Sequence, residues 1–145
     1  MKPNLIFLVL IASTLGSFAQ IVPQNYPIEK MNAQGACQPN MIFTIAEKNP
    51  KYSGGLEKLE NDLRNNLADG MPKKGKYFLK ILINCKGEAV GFETMNGDKN
   101  ESQLIFKELE KLQNWTAAVY NYQNVDCFFI LALEVRSGSI FINNK

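Results

Sequence analysis

After Tyr52-Ser53-Gly54-Gly55, leucines recur at Leu56, Leu59, Leu63 and Leu67, with Glu57, Lys58, Glu60, Asp62 and Arg64 between them. Steps of three and four keep apolar side chains on one face of a helix, so the spacing predicts an amphipathic helix of about three turns. Ser53 is placed to cap its start, and Asp69-Gly70-Met71-Pro72 to stop it. Between residues 76 and 95 the period changes to two. Tyr77, Leu79, Ile81 and Ile83 alternate with Phe78, Lys80, Leu82 and Asn84, which predicts a strand whose lysine and asparagine lie on the wetter face. Asn84-Cys85-Lys86-Gly87 reads as a turn, and Glu88 to Met95 as the returning strand of a hairpin.

A second helix is expected from Asn100, whose spacing to Gln103 fits a capping box, to near Trp115. Its apolar stripe is Ile105, Leu109 and Leu112, joined by Leu104 and Phe106. From Val125 onward, Val125, Cys127, Phe129, Leu131, Leu133 and Val135 share one face, while Asp126, Phe128, Ile130, Ala132, Glu134 and Arg136 share the other. Such a segment is a long strand, apolar on both faces in its middle. Ser137-Gly138-Ser139 then bends the chain, and Ile140-Phe141-Ile142 can add a terminal strand. Met41 to Ile45 is a further short β-prone run, ended by Glu47-Lys48-Asn49-Pro50.

The start of the chain follows a different logic. Lys2, an apolar run from Leu5 to Ala12, and a small-residue end at Ser17-Phe18-Ala19 have the layout of a secretory signal peptide cleaved after Ala19. A bilayer span needs about 20 apolar residues, which disfavours an uncleaved anchor and leaves no stable membrane insertion after cleavage. Residues 20–40, with Pro23, Pro27, Gly35 and Pro39, show no period and read as an irregular leader. Residues 41–145 then form one α+β domain.

Charge and composition remove several function classes. Without Lys2, 15 basic side chains face 14 acidic ones, and the densest basic cluster is Lys73, Lys74 and Lys76, so no nucleic-acid footprint is present. The chain has no histidine, and its acids mostly sit on solvent faces of the helices, as at Glu57, Glu60, Glu101 and Glu108. A cysteine nucleophile would lack its usual imidazole base. No catalytic residues, metal site or cofactor are therefore expected, and the chain reads as a non-enzyme. Three cysteines in an exported chain give one disulfide and one thiol. Cys37 and Cys85 lie in segments expected to be exposed, whereas Cys127 is in register with core positions. The expected bond is therefore Cys37 to Cys85, and the rival is a cross-strand bond from Cys85 to Cys127.

The element order and several short segments resemble the TonB C-terminal domain, in the compact form found in exported proteins of Bacteroidetes-type bacteria. Phe43-Thr44-Ile45-Ala46-Glu47-Lys48-Asn49-Pro50-Lys51-Tyr52-Ser53-Gly54-Gly55 is similar to the family's strand and its E-x-x-P-x-F-x-G-G lead into the first helix. Gly75-Lys76-Tyr77 through Asn84-Cys85-Lys86-Gly87-Glu88-Ala89-Val90 is similar to the family hairpin, and Trp115-Thr116-Ala117-Ala118 to its W-x-P-A, with Ala117 in place of proline. The likeness spans residues 41–143. It implies a two-layer TonB/TolA C-terminal-like fold: a small antiparallel sheet of three to four strands packed against two helices, with Trp115 plugging the gap between the second helix and the sheet.

The resemblance also implies a function. The family's last strand lies at a sheet edge and pairs with an extended segment of an outer-membrane or other envelope protein. Phe128, Ile130, Ala132, Glu134 and Arg136 would flank that partner-binding edge, unless residues 139–143 or the leader cover it. Force transduction is not expected, because about 20 residues at about 3.3 Å each are too short for a periplasmic spacer. The expectation is a periplasmic or secreted protein-binding module. The alternative is a secreted structural or accessory protein that self-associates without a transporter partner. The sequence leaves the partner and the oligomeric state open.

Overall fold

The computed structural model describes residues 33–68 and 70–144; the signal-peptide reading and most of the leader lie outside them. The chain runs β1 (Lys51–Tyr52), α1 (Gly55–Asn66), β2 (Gly75–Ile83), β3 (Ala89–Asn96), α2 (Lys99–Leu109), β4 (Trp115–Thr116), β5 (Ala118–Tyr120), β6 (Gln123–Val125), β7 (Cys127–Arg136) and β8 (Ser139–Ile142). The principal sheet has four strands in the order β3-β2-β7-β8, and its neighbouring strands pair antiparallel. The fold is α+β, with antiparallel sheets and two helices among the described residues.

Period-two alternation places the core. On β2, Tyr77, Leu79, Ile81 and Ile83 are buried and point to the helices, and in register across β7 Leu133 faces Tyr77 and Leu131 faces Leu79. Leu59, Leu63 and Leu67 from the first helical segment, with Ile105, Phe106 and Leu109 from α2, close this layer together with Val135 and Ile140. Phe92 and Phe106 stack at 5.3 Å and dock α2 onto β3. Trp115 is a core side chain, meeting Tyr52 and Phe129 edge-on at 5.1 Å each. The opposite sheet face carries a smaller cluster, in which Ile42 covers Leu82 and Phe128 with help from Ala33, Ala36 and Val90.

Several local expectations are corrected. Met41 to Ile45 is not a ladder strand: Phe43 alone makes a parallel bridge to Cys127, while Ile45 is exposed. Ile42 and Phe43 enter different apolar clusters, which no flat strand would allow. The start of α1 is Gly54, in the left-handed region at φ 90°, and no side chain caps it, so Ser53 is not the cap. Asp98, not Asn100, caps α2, accepting from the Asn100 and Glu101 amides at 2.9 and 3.1 Å. That helix ends at Leu109, well before Trp115, and Leu104 points to solvent.

Asn84, expected on a wet face, is buried. Its amide donates to Gly35 O and Glu88 Oε2, and its side-chain oxygen accepts from the Lys86 and Glu88 amides, so it organises the turn from within. Gly87 completes that turn at φ 78°, where a Cβ would stand 2.6 Å from the Trp115 carbonyl oxygen. The hairpin turn is thereby seated on the backbone that carries the core tryptophan.

Candidate functional site

The residues expected to flank a partner segment do lie on one strand, but that strand is not an edge. Phe128, Ile130, Ala132, Glu134 and Arg136 belong to β7, which pairs with β2 along one side and with β8 from Leu133 to Arg136 along the other. Ser137 and Gly138, both at positive φ, reverse the chain in two residues and lay Ile140 to Ile142 back against it. Beyond β8 the cover continues. The Asn143 amide donates to Ala132 O at 2.8 Å, and the Asn144 side chain bonds the Ala132 amide at 2.6 Å and the Ile130 carbonyl at 2.5 Å. At the other end Phe43 accepts from the Phe128 amide. The expected edge at Phe128, Ile130, Ala132, Glu134 and Arg136 is thus corrected to an interior strand.

The sheet's true edges are β8 and β3, and they are treated differently. Along β8, Glu60 accepts the Ile142 amide at 2.7 Å and Arg64 donates to the Ile140 carbonyl at 2.9 Å, while the two side chains pair with each other at 2.6 Å. An ion pair on α1 therefore occupies backbone positions that a further strand would need. Along β3, no described residue pairs the outward backbone of Gly91 to Thr94. The register steps from Leu82–Gly91 to Ile83–Ala89 and from Phe78–Asn96 to Leu79–Thr94, so Val90 and Met95 are bulged and bracket this short window. Beside it lies a recess of about 350 Å³ lined by Phe92, Glu93, Thr94, Lys99, Gln103 and Phe106.

A second site forms where the leader meets the sheet. Cys37 and Cys85 are disulfide-bonded, as the sequence reading preferred, and Cys127 is a buried thiol. Asp126, 2% exposed, accepts the Gln38 amide at 2.6 Å and the Cys85 amide at 2.8 Å, so both of its oxygens hold the backbone beside the disulfide. The two sulfurs and an Asp126 oxygen lie within 4.8 Å of one another, yet the sulfurs are bonded to each other and carry no thiolate for a metal. Next to this junction opens a cleft of about 320 Å³ with Gln38, Met41, Phe43, Tyr120, Asn121 and Gln123 in its wall. One side is the β5–β6 hairpin, which the sequence reading missed. Its two-residue turn, Asn121-Tyr122, has φ 48° and 61° and lacks the glycine that announces such turns. Holding Tyr122 there costs about 1 kcal/mol, while its side chain is 98% exposed.

The perturbed titrations belong to packing. Burial first, then the hydrogen bond it gives Asp62 at 2.7 Å, push the Tyr52 phenol up to about 12. The same bond, followed by Lys58, holds Asp62 below the ordinary carboxylate value. Burial pushes the Cys127 thiol up to about 11, which makes it a poor nucleophile at neutral pH. Tyr52 and Cys127 are acids whose folded values exceed their ordinary 10.0 and 9.0. Their contribution to stability is therefore complete below about pH 9 and is lost as the pH rises through the folded values. The urea midpoint is expected to fall between about pH 9 and 12, the Cys127→Ala variant losing the lower part of that decline. A midpoint unchanged to pH 12 would contradict the burial of both groups.

Among the described residues no helix is long and apolar enough to cross a membrane. No family model, curated protein or solved structure matches the chain.

Proposed function

We propose that this chain is a non-enzymatic exported binding module, similar to the TonB C-terminal domain, that takes an extended segment of an envelope protein by strand addition along β3. The observation that carries the reading is the contrast between edges: β8 is closed by Glu60 and Arg64, whereas no described residue pairs the outward backbone of Gly91 to Thr94, which borders a recess. Backbone bonds to β3 would supply affinity, and alternate side chains of the added strand would enter the recess between β3 and α2. The disulfide supports residence in an oxidising compartment, periplasmic or extracellular. The order of helix, hairpin, helix, tryptophan and strand supports the family likeness.

Self-association through the same edge is the second reading, favoured by the exposed apolar side chains Phe78 and Met95 near it. A photo-crosslinking amino acid in place of Met95, which is 56% exposed, separates the two in intact envelopes. Strand addition predicts a heterologous adduct with an extended segment of an envelope protein. Adducts between copies of this chain alone would establish self-association instead.

A further inference from the structure

The cleft beside the disulfide is lined by no residue of β3 and is independent of strand addition along Gly91 to Thr94. We infer that this cleft is a binding site for a neutral saccharide, with Tyr122 as a stacking platform and the side-chain amides of Gln38, Asn121, Gln123 and Asn124 as the hydrogen-bonding set. Its volume, about 320 Å³, sits at the lower end of small-ligand sites, roughly 300 to 1,000 Å³, and suits one or two sugar rings.

The chemistry of the wall selects the ligand class. Among the described residues Asp126 is the one carboxylate in it, with both oxygens taken by backbone amides, and none of them adds a lysine or arginine to the wall. An anionic ligand would therefore find no counter-ion, and a cation would meet only a carboxylate 2% exposed whose two oxygens already accept backbone amides. A purely apolar ligand would strip water from amides that it could not satisfy. The side chains of Gln38, Asn121, Gln123 and Asn124 make no hydrogen bond to any described residue, and each primary amide offers a donor pair and an acceptor at a spacing that matches vicinal hydroxyls. Met41, Phe43, Tyr120 and Val125 supply the apolar floor, where Phe43 and Tyr120 rings pack at 4.8 Å.

Tyr122 adds the feature that packing does not explain. It lies between the wall residues Asn121 and Gln123, adopts a backbone conformation that disfavours a side chain, and is 98% exposed. Its ring is not part of the cleft wall, but at the tip of the hairpin that forms one side of the cleft it is free to turn onto the C–H face of a sugar held there.

The test is a titration of the oxidised, nitrogen-15-labelled protein with maltose, cellobiose and chitobiose, followed by amide chemical shifts. At least one disaccharide is expected to shift signals of Gln38 and of residues 121–124, with those of Gly91 to Thr94 unmoved. Tyr122→Gly relieves the turn, so the hairpin survives while affinity falls about tenfold; Gln123→Ala provides an independent loss of hydrogen bonding. The inference is overturned if none of the three sugars moves these signals, if Tyr122→Gly binds as tightly as the parent, or if a neutral Ser/Asn-rich peptide shifts them and the sugars do not.

Discussion

Replacing Gly87 by alanine is expected to lower stability by at least about 2 kcal/mol, read as a drop in the urea midpoint at unchanged slope. Two costs combine. The backbone at φ 78° disfavours any side chain by about 1 to 2 kcal/mol. The new methyl would also stand 2.6 Å from the Trp115 carbonyl, a backbone atom that no rotamer change can move away. The same substitution at Gly55, where a Cβ meets nothing within 4 Å, should show the conformational cost alone and serves as the control. Equal losses at the two positions would mean that the hairpin turn is not seated on the Trp115 backbone.

Breaking the Cys37–Cys85 bond has the larger expected effect. The bond spans 48 residues, and closing a loop of that size in the unfolded chain is worth about 4 kcal/mol. Against a total stability of about 5 to 15 kcal/mol this is a large share. The double variant Cys37→Ala, Cys85→Ala should show it in urea unfolding. Asp126 retains the Gln38 and Cys85 amides in that variant, so residues 33–42 should remain on the sheet while global stability falls. A loss below about 1 kcal/mol would show that the carboxylate clamp, and not the covalent link, fixes the leader.

Much of the scaffold was legible because its forces are periodic. The Leu59, Leu63 and Leu67 stripe and the Tyr77 to Ile83 alternation each bury one face, and no other arrangement of those positions would do so. The preferred disulfide was legible from the contrast between Cys37 and Cys85, which lie in segments without an apolar period, and the apolar register of Cys127. Caps were not, because one side chain decides them: Asp98 wins over Asn100 by reaching two free amides at the helix start. The hairpin from Ala118 to Val125 was hidden because Asn121-Tyr122 reverses the chain without glycine.

The candidate edge failed for a related reason. Alternation identifies which faces β7 presents but carries no information about its flanks, and those were settled by the Ser137-Gly138 reversal and by Asn143 and Asn144. Nor could spacing reveal that Glu60 and Arg64, an ordinary i, i+4 pair on a helix, would close β8 from above. That closure leaves β3 as the side of the sheet on which a visitor can pair.

The most direct measurement compares the two edges in the same envelope preparation, with the photo-reactive residue placed at Met95 beside β3 or at Phe141 within β8. Strand addition predicts a heterologous adduct from position 95 and none from position 141. An adduct from position 141 with none from 95 would contradict the account, because it would place the partner on the edge that Glu60 and Arg64 occupy.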